Sequence, residues 1–229
     1  MIFTSPIVSS ASGSIAGITM AHNKGGMYMR ARTIPTNPGS LYQVAVRNAV
    51  TQLTSRWLDT LTPAQRLAWQ VYADNVPMLN KLGQTIFISG ISHYVRSNAP
   101  RLQAGLTRVD DAPTVFNLGD FTTPTYDASA ATDDVEVTFA ATDDWADETG
   151  SHLIIRASRP QNITINYFKG PFRFADTIDG VTGTPPTSPA TITLPFAVEI
   201  AQRLFFAAVC TRADGRLSGT QFGQCLVGA

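Results

Sequence analysis

The stretch from Gly13 to Asn75 changes character halfway along, and this change limits what the chain can fold into. Its first part is punctuated by glycines, which let the backbone turn sharply or approach another backbone closely. The side chains between those glycines are too apolar for an ordinary flexible linker; they include Ile15, Ile18, Met20, Met27, Tyr28 and Met29. The second part carries apolar residues at helical spacing. We therefore predict an extended arm that leads into a helical region.

Within the arm, residues 27–32 alternate as a half-buried strand does. The odd positions are apolar, and the even positions are Tyr28, Arg30 and Arg32. Two arrangements fit this pattern. The strand could pack on the chain's own core, or it could pair with a neighbouring subunit by strand addition, with the two arginines as polar anchors to an acidic partner. The sequence leaves both open, because apolar content argues against disorder without naming a partner.

The residues after the arm predict a helical hairpin. Ser40 can cap a first helix, whose apolar stripe is Val46, Val50, Leu53 and Trp57. Thr62 and Gln65 have the spacing of a capping box, with Pro63 at the first helical position, so a second helix starts there. It carries Leu67, Trp69, Val71 and Tyr72, and Trp57 and Trp69 are available to the core of the hairpin. A further short helix is expected to begin after Ser89 and to end before Pro100.

The second half of the chain has the pattern of an antiparallel β domain. Residues 110–124 are acidic and interrupted by prolines, which indicates a boundary. From Thr125 onward, short alternating or apolar runs are separated by loops rich in Asp, Gly and Pro. The predicted strands are 135–139, 152–157, 162–168, 173–178, 191–194, 203–212 and 221–227. Seven short strands over about a hundred residues predict a β-sandwich, and their order and size resemble a fibronectin type III or immunoglobulin-like module.

The predicted fold class is therefore α+β. An N-terminal extended arm and a helical hairpin region are followed by an immunoglobulin-like antiparallel β-sandwich. The predicted segments are a glycine-rich arm at 1–38, a helical region at 39–104, a linker at 105–124 and the sandwich at 125–229.

No motif in the sequence predicts catalysis, and we expect no enzyme, cofactor or metal site. His22, His93 and His152 are far apart and lack metal-binding spacing. The acidic pairs between strands lack the fixed spacing of a calcium loop and are best explained as solvated loop residues. Cys210 and Cys225 are the two cysteines. We expect buried free thiols rather than a disulfide, because a protein made in a reducing cytoplasm keeps its thiols reduced.

Charge is sparse and unevenly distributed. Charged residues make up 15% of the chain, against roughly 25% in typical soluble domains. Either extensive contact with partners or a Thr/Ser/Gln-rich β surface explains this. The net charge is zero, but residues 1–112 contain ten Lys/Arg and four Asp/Glu. Residues 113–229 contain seven Lys/Arg and thirteen Asp/Glu. This asymmetry favours an acidic contact for the first half: an acidic protein surface, nucleic acid, or the acidic half of a neighbouring copy. Direct nucleic-acid binding is disfavoured, because the basic residues are dispersed and form no recognition motif. No secretory signal or membrane span is expected.

Several motifs in the first half share one resemblance. They are Gly-Ser-Ile-x-Gly at 13–17, Asn23-x-Gly25-Gly26-x-Tyr28-x-Arg30-x-Arg32, Pro35-x-Asn37-Pro38, Leu61-Thr62-x-x-Gln65-Arg66-x-x-Trp69-x-x-Tyr72-Ala73, Gly83 and Tyr94-Val95-Arg96-Ser97-Asn98. Together they resemble a group of poorly characterised proteins encoded by tailed bacteriophages and prophages. The resemblance implies a virion structural component, made in the host bacterial cytoplasm, and carries over no catalytic or ligand-binding residue.

Our functional expectation is a capsid decoration or cement protein. Its arm would clasp neighbouring subunits through a predicted interface of Ile15, Ile18, Met20, Met27, Tyr28, Met29, Arg30 and Arg32. Its partners would be the phage major capsid protein or other virion proteins, and it would be a homo-oligomer or present in many copies. A neck or tail location is the alternative within that class. A host- or glycan-recognition module is the alternative from another class, with Trp145, Tyr167 and Phe168 available for stacking.

Overall fold

A computed structural model describes residues 12–23, 26–34, 36–79 and 84–229 of this chain. The chain divides into two compact units, Met1–Leu41 and Tyr42–Ala229. Three residues of the phage-like motifs, Gly25, Pro35 and Gly83, lie outside the described residues, as do residues 1–11 of the predicted arm.

The first unit contains a small antiparallel sheet. Its strands are β1 (Gly13–Ile15), β2 (Ile18–Asn23) and β3 (Gly26–Ala31), in the order β1-β2-β3. The strand predicted over 27–32 is confirmed as β3. Ala16 and Gly17 form a two-residue turn between β1 and β2, and the Arg32 N–H donates to the Gly17 carbonyl at 2.8 Å. Ala16 adopts a left-handed φ of 51°, which the turn requires even though the residue is not glycine.

The second unit begins with three helices: α1 (Leu41–Asp59), α2 (Pro63–Asn75) and α3 (Gly90–Gln103). Short strands β4 (Met78–Leu79) and β5 (Thr85–Ile86) pair between α2 and α3. The predicted capping box is confirmed, because Thr62 Oγ1 accepts from the Gln65 N–H at 3.2 Å and Gln65 Oε1 accepts from the Thr62 N–H at 2.9 Å. The helices share a core of Leu53, Leu61, Trp69, Tyr72 and Tyr94.

Helix α3 is longer than predicted, because it continues through Pro100 to Gln103. Proline removes one N–H bond near the end of the helix. The last turn is closed by the Ala104 N–H, which donates to the carbonyls of Pro100 and Arg101 at 3.0 and 3.1 Å. The buried Arg101 side chain also holds this turn through a 2.8 Å bond to the Thr107 carbonyl. These contacts outweigh the local preference for ending the helix before the proline.

The β domain has seven strands: β6 (Thr125–Ser129), β7 (Asp134–Thr138), β8 (His152–Ser158), β9 (Phe172–Asp179), β10 (Ala190–Thr193), β11 (Arg203–Thr211) and β12 (Gln221–Gly228). Their order is β10-β7-β6-β12-β11-β8-β9. All neighbours are antiparallel except β6 and β12, which join a three-stranded and a four-stranded half in parallel through Val227 opposite Ala128. Strands β6, β7 and β10 take the places of A, B and E of an immunoglobulin-like sandwich, and β8, β11 and β12 those of C, F and G.

The alternating inward residues of both halves form one core. Its largest fully buried members include Trp145, Leu153, Ile155, Leu204 and Phe206. The predicted α+β class with an immunoglobulin-like, nearly closed sandwich is confirmed. Six of the predicted strands are present as β7 to β12.

The prediction of a strand over 162–168 is wrong. Asn162 Oδ1 accepts from the Thr164 N–H at 3.0 Å, and the Ile165 N–H donates to the Asn162 carbonyl at 3.0 Å. These bonds make a turn that competes with strand formation, a property of Asn side chains that apolar alternation does not reveal. The seventh strand is instead β6, just after Pro124.

The segment predicted as a linker, 105–124, is bonded at both ends. Asn98 Nδ2 donates to the Val109 carbonyl at 2.9 Å, and its Oδ1 accepts from the Val109 N–H at 2.7 Å. Further along, the Thr122 N–H donates to Asp143 Oδ2 at 2.7 Å. Segments 42–104, 105–124 and 125–229 belong to one compact unit. The boundaries inferred from composition remain predictions about independent folding.

Asp110 accepts hydrogen bonds from side chains of all three helices. Arg56 of α1 donates from Nε to Oδ1 at 2.8 Å, and Tyr94 of α3 donates to the same oxygen at 3.0 Å. Trp69 of α2 donates to the Asp110 carbonyl at 2.9 Å. The hydrogen-bonded Arg56 guanidinium lowers the pKa of the Asp110 carboxyl. A single residue after α3 therefore joins the three helices, through its carboxylate to α1 and α3 and through its backbone carbonyl to α2.

His93 is fully buried in the helical core and stacks edge-on against Tyr72 at 5.3 Å. Neither ring nitrogen has a partner with hydrogen-bond geometry among the described residues. Burial lowers the pKa of this imidazole, the charge of Arg96 adds to that shift, and only the backbone of Val76 opposes it. His93 is therefore neutral in the folded chain at pH 7.

We expect Asp110→Asn to lower the free energy of unfolding by about 2 kcal/mol, because the charge-assisted bonds from Arg56 and Tyr94 are lost. Denaturant unfolding of the full chain measures this. The matched control is Asp111→Asn, whose carboxylate accepts only an exposed bond from Gln65 at 2.8 Å, and which should cost under about 0.5 kcal/mol. Equal effects at the two positions would show that Asp110 has no special role.

We expect stability to fall as pH decreases from 7 to 5, partly through His93. Its unfolded pKa is about 6.5, and its folded pKa is lower. The unfolded state therefore binds the proton first, and each pH unit between the two values costs up to about 1.4 kcal/mol. His93→Leu should reduce this pH dependence, which denaturant unfolding of both chains across this pH range measures. Identical pH profiles for wild type and His93→Leu would contradict the assignment.

Candidate functional site

The register of β1, β2 and β3 separates apolar from polar side chains. Residues directly opposite each other in antiparallel strands share a face. Met20 faces Met29, and Ile15 faces Ile18. Because side chains alternate along each strand, one face of the sheet carries Ile15, Ile18, Met20, Met27 and Met29, with His22 and Ala31 at the same face. We call this set the apolar sheet face.

The opposite face of the same sheet is polar. Ser14 and Thr19 share a 2.8 Å hydrogen bond between their hydroxyls. Arg30 lies opposite Thr19, and Tyr28 lies opposite Ala21. Of the eight predicted interface residues, five therefore share the apolar sheet face, whereas Tyr28 and Arg30 point the other way. Arg32 follows the end of β3.

The apolar sheet face is incompletely covered. Ile15 is 73% exposed and Ile18 is 46% exposed, while Met20, Met27 and Met29 are partly buried. In the described part of the first unit these three short strands are the only sheet, and a sheet buries its apolar side only against another element. The arrangement can bind a complementary apolar surface, and its edge strands β1 and β3 can each accept a further strand.

The aromatic residues suggested for ligand stacking separate into two groups. Trp145 is fully buried and packs against Phe139 at 5.3 Å, so it belongs to the core. Tyr167 and Phe168 are 58% and 50% exposed. Phe168 contacts Phe222 at 5.3 Å between ring centroids. A surface aromatic cluster therefore exists on the loop between β8 and β9, without Trp145.

One apolar surface was not predicted from the sequence, which identified Leu67 and Val71 only as apolar residues of the second helix. Leu67 and Val71 of α2 are 66% and 47% exposed. With Ala64, Ala68, Pro113 and Phe116 they line a mostly apolar groove of about 430 Å³. The sequence does carry a signal for it, since Ala64, Leu67, Ala68 and Val71 recur at i, i+3, i+4 and i+7. Trp69 and Tyr72 face the core instead.

The groups capable of chemistry are dispersed. His22 is exposed on β2, His93 is buried in α3, and His152 contacts Asp179 at 2.7 Å on β9. Among the described residues, no three His, Cys, Asp or Glu side chains converge in a way that could hold a metal ion. Cys210 and Cys225 are free thiols, and burial raises the pKa of each to about 12. Both thiols are therefore protonated and unreactive at neutral pH.

None of the described helices is both long enough and apolar enough to cross a membrane.

Comparison with protein-family models and with curated proteins gives no match. Two solved structures overlap loosely with this chain. The adhesin domain of Epf from Streptococcus pyogenes is 15% identical with a TM-score of 0.31, over 49% of this chain and 32% of that one. An Fn3-like protein from Clostridium thermocellum is 12% identical with a TM-score of 0.27, over 48% of this chain and 95% of that one. The matched region thus spans about a third of the adhesin domain. Similarity this low supports no shared function, and the strand order itself establishes the sandwich.

Proposed function

We propose that this chain is a structural component of a tailed-phage virion, and that it acts as a capsid decoration or cement protein. The observation that carries the assembly role is the incompletely covered apolar sheet face, with Ile15 and Ile18 the most exposed. The virion location rests on the phage-like motifs of the first half. A neck or tail position is compatible with the same contacts.

Whether association is favourable depends on how much free energy is gained when a partner buries the apolar sheet face. Fully burying an exposed Ile or Met side chain stabilises by about 1.5–3 kcal/mol. The apolar sheet face offers five such side chains, three of them already partly covered. Partial gains at five positions are comparable with the roughly 4–15 kcal/mol that association costs in lost freedom. Burial of this face against a neighbouring virion subunit can therefore supply the free energy that drives association.

Strand addition supplies a second, directional contribution. Among the described residues β3 (Gly26–Ala31) is the last strand of its sheet, and a partner strand along its outer edge would continue the alternation of apolar and polar side chains. Arg30, on the polar face, and Arg32, just beyond the strand, would then meet the partner from the opposite side. Their charge favours an acidic partner, so the apolar face provides affinity and the arginines provide orientation.

A second candidate function is recognition of host-surface glycans. The exposure of Tyr167 and Phe168 on one loop favours it, because flat aromatic rings stack on sugar rings. The same exposure also suits contact with another protein, so this candidate depends on a direct binding measurement.

Particle incorporation tests the assembly role. We expect Ile15→Ser/Ile18→Ser to reduce the number of copies per purified particle at least about tenfold, because roughly 2 kcal/mol of burial is lost. The matched control is Ser14→Ala/Thr19→Ala, the adjacent cross-strand pair on the polar face, which should be incorporated normally. Normal incorporation of the isoleucine variant would overturn the role of the apolar sheet face. Failure of the wild-type chain to co-purify with particles would overturn the virion assignment.

Host-cell binding by the full chain tests the second candidate. If the aromatic loop binds glycan, Tyr167→Ser should weaken binding about tenfold, since one stacking contact contributes roughly 1 kcal/mol or more. Ile163→Ser, at another exposed position of the same loop, is the control and should bind as wild type does. Absence of wild-type binding, or equal loss in both variants, would rule this candidate out.

A further inference from the structure

The two outer faces of the sandwich differ sharply in charge. On the half formed by β6, β7 and β10, the outward carboxylates are Asp127, Asp134 and Glu136, and these three strands contain no Lys or Arg. Asp127 lies directly opposite Glu136, a like-charge pair that disfavours the sheet when left alone. In the part of the chain that the structure describes, none of the three carboxylates makes a salt bridge. They line a shallow groove of about 300 Å³ that we call the acidic groove.

The cations of the β domain gather on the other half. Of the seven Lys and Arg in residues 113–229, Arg212 pairs with Glu148 and Arg216 pairs with Asp214. The other five lie on β8, β9 or β11 or in the loop between β8 and β9: Arg156, Arg159, Lys169, Arg173 and Arg203. None of these five makes a salt bridge with another described residue. Asp176 of β9 is the exposed carboxylate nearest to them in sequence.

The most exposed of these cations share a loop with the surface aromatics. Arg159 and Lys169 are both exposed, and Tyr167 and Phe168 lie between them in sequence. Phe168 packs on the half-exposed Phe222 of β12. We call residues 159–169 the basic aromatic loop. It combines positive charge for an acidic partner with apolar surface that contact would bury.

One copy cannot satisfy both features by itself. The outer faces of two packed sheets point away from each other, so the acidic groove and the basic aromatic loop of a single sandwich are separated by its core. They are complementary in charge and occur in equal number on every copy. We propose that the acidic groove of one copy binds the basic aromatic loop of a second copy, in a head-to-tail contact between sandwiches. Such a heterologous contact builds rings or rows rather than closed dimers.

This contact is separate from the apolar sheet face and can be measured without it. Its test uses the full chain carrying Ile15→Ser/Ile18→Ser as background, so that the sheet face contributes little. Sedimentation velocity should show concentration-dependent oligomers larger than dimers at about 50 mM salt. Association should weaken about tenfold or more at about 500 mM salt, where exposed charges are screened within a few ångströms.

Two charge-reversal variants test whether the groove and the loop bind each other. Asp127→Lys/Glu136→Lys removes the acidic groove, and Arg159→Glu/Lys169→Glu reverses the basic aromatic loop. Each variant alone should stay monomeric, because like charges then face each other. Mixed in equal amounts, they should associate again, because the native loop of the first variant fits the native groove of the second and the two reversed surfaces also carry opposite charges. Asp59→Lys/Asp74→Lys changes the net charge by the same amount as the groove variant, at exposed helix positions, and should associate as the background does.

The proposal is overturned by a background chain that stays monomeric at low salt, by reversed variants that still associate alone, or by a mixture that remains monomeric. A separate cationic protein or a nucleic acid that binds the respective surface while the chain does not self-associate would also overturn it. The fate of the virion role is independent, because particle incorporation is scored on the apolar sheet face.

Discussion

Two arginines of α3 hold the helical part of the second unit against the β domain. The buried Arg101 donates from Nη1 to Thr211 Oγ1 at 3.0 Å and to the Arg212 carbonyl at 3.1 Å. Arg96 donates to the carbonyls of Leu217 and Ser218 at 3.1 and 2.9 Å. Burial lowers the pKa of both guanidinium groups, and a buried charge is tolerated only when its donors are satisfied. Moving α3 away from the β11–β12 connection would leave both guanidinium groups without these hydrogen-bond partners. This contact therefore fixes the helices and the sandwich as one body.

The two units present different surfaces because they differ in the length of chain available to build a core. The second unit has enough chain to satisfy its internal charges and to build two apolar cores. The first unit has about forty residues, too few to enclose a sheet face, and its described part holds three strands. The same alternation of side chains that builds a core in the sandwich therefore leaves Ile15 and Ile18 in solvent in the small sheet. An apolar face of this kind is stable in water only at a cost, and contact with another polypeptide removes the cost.

Local signals in the sequence predicted local structure, and they failed where a distant contact or a side chain bonded to its own turn decided the outcome. The capping box of Thr62 and Gln65 and the alternation of Met27 to Ala31 involve neighbours in sequence, and both are confirmed. The extension of α3 past Pro100 depends on Arg101 reaching Thr211, more than a hundred residues away. The failure of 162–168 as a strand depends on one Asn side chain bonding its own turn.

In the candidate site, too, local sequence signals identified the residues, whereas their placement depended on the fold. The apolar alternation identified the side chains, but only the pairing of Met20 with Met29 and Ile15 with Ile18 shows that they share one face. Periodicity likewise placed Leu67 and Val71 on a helix without telling which of two stripes faces the core. Exposure is a property of the whole fold, because it depends on which elements come to lie over a residue.

The two proposed contacts are driven by different physics, and this difference constrains how the chain could assemble. Burial of the apolar sheet face is insensitive to salt, or strengthened by salts excluded from protein surfaces. Docking of the basic aromatic loop into the acidic groove weakens as salt rises. A subunit with both contacts can therefore keep its attachment through the sheet while the contacts between sandwiches adjust to conditions. Firm attachment through one unit and adjustable lateral contact through the other suit a protein that covers a surface built by a different chain, because each copy is held individually and neighbours need not match perfectly.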